Sequence, residues 1–229
     1  MNTKFLIVSL GGSLMIKDDK INTEFLQKFV KLVKELVKSG QRLIIITGGG
    51  STARKYAQGA KSLNPKISIN QLDWLGIHST RLNAYLLQSL LPGLSDPKII
   101  LDHTKKIASR YPVIIGGGYK PGWSSDYAMM LAAKAWGVKK VVNISNIDFV
   151  YNKDPRKNLD AVPLHNIDWD YMQRLVGTKW VPGLNLPFDP IAVKLGKKLK
   201  MEVGIVNGNN ISNLKKCLQN KPFTGTVIA

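Results

Sequence analysis

Phe5-Leu6-Ile7-Val8-Ser9-Leu10-Gly11-Gly12-Ser13 opens the chain with an apolar run that ends on paired glycines. The run does not alternate apolar with polar residues. It therefore reads as a strand buried on both faces and closed by a glycine turn. A secretory leader is the competing reading of such a start. Two glycines break the run, Lys17-Asp18-Asp19-Lys20 follows, and no small-residue cleavage pattern is present, so the strand is preferred. Outward from it, similar runs recur at residues 43–47, 98–101, 113–115, 140–144 and 203–206. Helical patterns lie between them at Thr23–Lys38, 51–62, 71–91, Ser125–Trp136, Pro190–Leu199 and Ile211–Leu218. In the first of these Phe25, Leu26, Phe29, Val30, Leu32, Val33, Leu36 and Val37 form a broad apolar stripe that Ser39-Gly40 ends. Such alternation predicts an α/β fold, an αβα three-layer sandwich around a mostly parallel sheet. Short strands near Val150–Tyr151 and Thr226–Ile228 read as hairpin additions.

Composition sets the bounds. The chain has 229 residues, 44% hydrophobic and 21% charged, which excludes wholesale disorder and leaves room for one α/β unit or two lobes on one sheet. A single cysteine, Cys217, excludes an internal disulfide framework and a cysteine zinc cluster, and points to a reducing, cytoplasmic setting. His78, His103 and His165 are far apart in sequence, so no protein metal-ligand set is expected. No apolar stretch approaches the ~18 residues that a bilayer requires, so no membrane partner is expected.

Lysine and arginine number 33 against 15 acids, for a formal charge of +18. Charge of this sign raises nucleic acid as a partner. Lys28, Lys31, Lys34 and Lys38, however, interleave with one helix's apolar stripe as a solvated face does. No zinc-finger spacing or RNA-binding aromatic motif accompanies the charge, so no specific nucleic acid is expected. A small anionic substrate also benefits from a positive field.

Three glycine clusters each follow a strand: Gly11-Gly12-Ser13, Gly48-Gly49-Gly50-Ser51 and Gly116-Gly117-Gly118. Ligands of open parallel sheets sit beyond the carboxyl ends of the strands, where glycine lets backbone approach a ligand and a following helix favours phosphate. Plain turn chemistry is the alternative for any one cluster; three at one sheet end favour an anion site. The P-loop, dinucleotide and protein-kinase motifs are all missing. Pro121-Gly122-Trp123-Ser124-Ser125-Asp126 reads as a loop closing on a helix N-cap. There Asp126 either stabilises the helix start or serves a transferring phosphoryl group by holding Mg²⁺ or positioning a lysine. Asn143 to Pro155 reads as a strand exit, or as one wall of a nucleoside pocket.

In their order and spacing, these clusters, with Asn146-Ile147-Asp148-Phe149-Val150-Tyr151, Asp154-Pro155 and Asp189-Pro190-Ile191-Ala192, resemble the amino acid kinase family. Within it, Gly48 to Tyr56 and Asp73-Trp74-Leu75-Gly76 with Thr80-Arg81-Leu82-Asn83-Ala84 are similar to the archaeal-type uridylate kinases. The resemblance implies phosphoryl transfer from ATP with Mg²⁺ to UMP, in one unit whose residues 1–115 form an acceptor lobe and 116–229 an ATP lobe. It implies ATP contacts from Gly11, Gly12, Ser13, Gly50, Arg54, Ser145, Tyr151 and Asp154. It implies UMP contacts from Gly49, Asp73, Gly118, Tyr119, Lys120, Pro121, Gly122, Trp123 and Ser124. Asp126 would be catalytic, and a homo-oligomer, a hexamer built from dimers, is expected.

The sequence departs from the family in three places, the most conservative being Ser124-Ser125 for a commoner Thr-Thr. Ser9 stands where many relatives carry lysine, which makes Lys194 the candidate for the missing charge. Phe149 replaces a glycine and would reshape the adenine pocket. Asp73 has two readings, a ribose contact or the cap of the helix that begins near it. Relatives acting on isopentenyl phosphate, carbamate or acyl-amino acids, and a non-catalytic nucleotide sensor, are the other functions open to such a chain.

Overall fold

A computed structural model describes residues 5–179 and 186–229. The chain runs β1 (Phe5–Leu10), α1 (Gly12–Met15), a small hairpin of β2 (Ile16–Lys17) and β3 (Lys20–Ile21), α2 (Thr23–Lys38), β4 (Arg42–Thr47), α3 (Gly50–Leu63) and α4 (Ile69–Ser89). It continues through β5 (Val113–Gly116), α5 (Ser125–Trp136), β6 (Lys140–Ser145), β7 (Val150–Tyr151), β8 (Pro163–Leu164), β9 (Asn166–Ile167) and α6 (Trp169–Val176). It ends with α7 (Pro190–Leu199), β10 (Glu202–Asn207), α8 (Ile211–Leu218) and β11 (Thr226–Ile228).

Seven strands form one sheet in the order β5-β4-β1-β6-β10-β11-β9. Every pairing in it is parallel except β10 with β11. Because successive side chains leave a strand on opposite faces, β1 sends Ile7 to one core and Val8 and Leu10 to the other. The first core is closed by α5, α6 and α7 through Met129, Met130, Trp169, Met172 and Val193. The second is closed by α2, α4 and α8 through Phe25, Phe29, Leu87 and Leu214. This is the three-layer sandwich that the runs of Ile and Val predict. Cys217 belongs to the second core, and burial pushes its thiol up to about 12, so it packs rather than reacts.

Residues 98–101, expected as a strand, pair with β5 only through an isolated bridge between Ile100 and Gly116. Asp96 explains the break. Its Oδ1 accepts from the Lys98 N–H at 2.9 Å, a side-chain turn that lifts Pro97 and Lys98 off the β5 edge. The expected start of α4 also moves, from residue 71 to Ile69. Ser68 and Gln71 form a reciprocal capping box, with the Ser68 Oγ accepting from the Gln71 N–H at 3.2 Å and the Gln71 Oε1 from the Ser68 N–H at 3.0 Å. The helix-cap reading of Asp73 therefore falls. Ser68→Ala should cost about 1 kcal/mol, and lower the melting temperature by roughly 2–4 °C in a chain of this size. A thermal melt with no shift would refute the box.

Candidate active site

The first two glycine clusters sit at the same end of adjacent parallel strands, after β1 and β4, and the third follows β5 beside them. The first two interlock. A Cβ on Gly12 would lie 2.2 Å from the Gly50 nitrogen and 2.5 Å from the Gly48 oxygen, distances no side chain tolerates. Gly50 also takes a positive φ of 66°, which favours glycine. The glycines are thus required first by each other's backbone. Their contact brings the starts of α1 and α3 together, and neither helix start is capped by a side chain.

A cleft of about 600 Å³ opens above this junction. Its walls bring together Gly11, Gly12, Ser13, Gly49, Gly50, Arg54, Ser124, Asp126 and Ser145 from the expected set. Ser9, Asn143, Arg156 and Asp189 also line it, residues absent from the expected ATP, UMP and catalytic contacts. Asp126 is held by two neutral donors, the Ser9 Oγ at 3.2 Å and the Asn143 Nδ2 at 2.9 Å, both to Oδ1. The residue is partly accessible from the cleft, but its carboxyl is enclosed by protein. Burial, and then the charge of Asp189, push it up to about 7.

Asp189 is 5% exposed and caps α7, its Oδ1 accepting from the N–H groups of Ile191 at 2.5 Å and Ala192 at 3.1 Å. Burial raises its pKa too, against the Ser124 hydroxyl and those α7 amides. Its Oδ2 is buried and makes no hydrogen bond of normal geometry among the described residues. Two buried acids whose pKa values are both raised, Asp126 partly by the charge of Asp189, suit a cation shared with phosphate oxygens. No group of three or more metal-ligating acids, histidines or cysteines occurs among the described residues. Such a cation would therefore draw part of its coordination from a ligand.

The structure does not bring the remaining candidates into this cleft. Lys194 is exposed on α7, and its Nζ donates to the Thr178 carbonyl at 3.4 Å. The cationic side chains at the cleft are instead those of Arg54 and Arg156. The Asp154 carboxylate is engaged by Arg156 through Nε at 2.9 Å and Nη2 at 2.8 Å, which pulls it down to about 2. Its placement thus serves Arg156. Tyr151 lies outside the cleft lining beside Phe149, and Phe149 packs edge-on against His165, with ring centroids 4.7 Å apart.

Tyr119, Lys120, Pro121, Gly122 and Trp123 form a separate wall between β5 and α5. There Trp123 contacts Tyr119 and Tyr127 edge-on, and the Lys120 Nζ lies 4.7 Å from the Trp123 ring centre. Asp73, 8% exposed, reaches this wall from α4, its Oδ2 accepting from the Gly122 N–H at 2.6 Å. Burial raises its pKa and that N–H partly offsets the rise. Asp189 carried a sequence signal, since Asp-Pro opens helices well, but that signal speaks only of a cap. Its approach to Asp126 is a tertiary fact.

Residues 4–207 match the model of the amino acid kinase family. Uridylate kinases from Thermoplasma volcanium and Staphylothermus marinus are each 34% identical, over 97% of this chain and 96% and 97% of their own lengths. The crystal structure of uridylate kinase from Archaeoglobus fulgidus superposes with a TM-score of 0.83 at 28% identity, covering 98% of this chain and all of that one. A UMP kinase from Ureaplasma parvum, 18% identical, shares the fold with a TM-score of 0.79. With its parallel sheet, interlocked glycine turns and buried acid pair, the chain belongs to the amino acid kinase family.

Proposed function

We propose that this chain is a UMP kinase, an ATP-dependent nucleoside monophosphate kinase that yields UDP and ADP for pyrimidine nucleotide synthesis. The observation that carries the reading is the cleft itself, in which two glycine turns free of capping side chains meet a buried acid pair. The full-length similarity to uridylate kinases selects UMP as the acceptor.

Gly11, Gly12, Ser13, Gly50 and Arg54 receive the ATP phosphates, and Ser145 serves the adenosine side, with Asp154 acting through Arg156. Gly49, Asp73 and the 118–124 loop receive UMP. A UMP phosphate oxygen bonds to the γ-phosphorus as the bond to the β–γ bridging oxygen breaks, and ADP leaves with that electron pair. Mg²⁺ bound with ATP would neutralise charge on the transferring group. Asp126 and Asp189 are the residues that would hold it, and their mutual repulsion is relieved when they do. Ser9 and Asn143 fix the Asp126 carboxyl so that it needs no reorganisation during transfer. Residues 1–115 form the acceptor lobe and 116–229 the ATP lobe, and each nucleotide reaches across the boundary, ATP to the turns at Gly11–Ser13 and Gly50 and UMP to the 118–124 loop.

An ADP-release assay across UMP, CMP, isopentenyl phosphate and carbamate tests the reading. Preference for another acceptor redirects it, and no turnover with any makes the chain a nucleotide sensor. Asp73→Asn is expected to raise the KM for UMP roughly ten- to a hundredfold, the worth of one charged hydrogen bond, and to leave the KM for ATP unchanged. Equal effects on both substrates would remove Asp73 from the acceptor site.

The enzyme is cytoplasmic; among the described residues no helix is long and apolar enough to cross a membrane. It assembles as a homo-oligomer, a hexamer built from dimers, supported by Leu82 and Tyr85 standing 63% and 57% exposed on α4. Light scattering that finds only a 25.4 kDa monomer at micromolar concentration would count against assembly.

A further inference from the structure

We infer that Arg81, a residue of α4, is a positioning residue for the acceptor nucleotide and acts through the main chain of the 117–122 loop. The inference rests on the loop being the acceptor side, as proposed above. Arg81 Nε donates to the Gly118 carbonyl at 3.0 Å and Nη2 to the Tyr119 carbonyl, also at 3.0 Å. One planar guanidinium thus pins two successive peptide units. Lysine, with a single donor atom, cannot bridge them in that way.

In a trans peptide the N–H points opposite to the C=O of the same plane. Drawing the Gly118 and Tyr119 carbonyls towards α4 therefore turns the N–H groups of Tyr119 and Lys120 away from it. No described residue accepts a hydrogen bond from either N–H. The neighbouring loop amides are already engaged: Gly118 N–H donates to the Thr80 Oγ1 at 2.6 Å and Gly122 N–H to Asp73. Two adjacent, outward-turned amides are left to donate to acceptor oxygens of the bound nucleotide.

The glycines agree with this arrangement. A Cβ on Gly117 would sit 3.0 Å from the Arg81 Cγ and 3.1 Å from its Cα, and one on Gly118 would sit 2.9 Å from the Thr80 Oγ1. These two glycines are therefore needed for the loop backbone to lie against α4. On the far side, the buried His103 Nε2 is 2.8 Å from the Gly117 carbonyl, which fixes the loop's first turn. Arg81 itself does not line the main cleft; its influence passes through the loop.

The test compares wild type with Arg81→Ala and Arg81→Lys in steady-state kinetics, and follows amide hydrogen exchange in the 117–122 loop without ligand. Arg81→Ala should raise the KM for UMP by about tenfold or more while the KM for ATP holds, and should speed exchange in the loop alone. Arg81→Lys should recover only part of each effect. A lower melting temperature with an unchanged UMP KM, or an equal rise in both KM values, would overturn the inference. If wild type turns over another acceptor from the panel, the same split is read with that acceptor. If it turns over none, the functional reading fails separately. Loop exchange then decides alone, and unchanged exchange in Arg81→Ala rejects the role of Arg81.

Discussion

Asp126→Asn is expected to lower kcat by about 100- to 1,000-fold with both substrates saturating, and to raise the melting temperature of the nucleotide-free protein at pH 8. Both effects have one cause. The carboxyl is held near 7 by burial and by Asp189, against an ordinary value of 3.8. Between these values the folded state keeps a proton that the unfolded state has released. Stability therefore falls as pH rises from about 4 to about 7, and the whole penalty is present above 7. Asparagine removes the charge and keeps an Oδ1 that accepts from Ser9 and Asn143. The gain in melting temperature should shrink steadily as pH falls towards 4. The loss of kcat follows because asparagine contributes no negative charge to hold a cation beside the transferring group. A variant with wild-type kcat, or one less stable than wild type at pH 8, would contradict this account. Activity and stability are set against each other here, as is common where a site keeps charges apart from water.

Gly12→Ala should be the most damaging small substitution in the chain. Its added methyl would meet the Gly50 nitrogen at 2.2 Å and the Gly48 oxygen at 2.5 Å, both main-chain atoms. Neither can swing aside as a side chain does, because the turn after β4 is tied to the sheet. Gly48 N–H donates to the Leu10 carbonyl and Gly11 N–H to the Ile144 carbonyl, each at 2.8 Å. Relief requires the β1 and β4 turns to separate. The expected cost is about 3 kcal/mol or more, with loss of activity even in the folded fraction. Gly59→Ala is the control. No atom lies within 4 Å of its added Cβ, and in the interior of α3 alanine should be neutral or stabilising. Denaturant melts of the two variants with the same midpoint would show that the glycine turns do not interlock.

Much of the layered fold was legible locally. β1, α2, α5, α7 and α8 lie where the apolar runs and helix punctuation put them, because a fully buried strand and a one-sided helix each impose a pattern within a few residues. α6 left a comparable trace, with Asp168 as cap and Trp169, Met172 and Val176 buried on one face, but the stretch is short and mostly polar. The sequence also determined that glycine clusters would gather at one end of a parallel sheet, since parallel strands share a direction. It could not determine what the glycines touch. Gly12 answers to Gly50, Gly117 to Arg81 and Gly118 to Thr80, contacts between distant segments. The same holds for the charges. Asp189 entered only as part of a family motif and Lys194 as a reachable cation, yet the path of α7 brings the acid to Asp126 and leaves the lysine exposed at the Thr178 carbonyl. A local pattern records which face of an element is buried. Which distant group meets that face depends on strand register and helix placement, and those are decided only when the whole sheet closes.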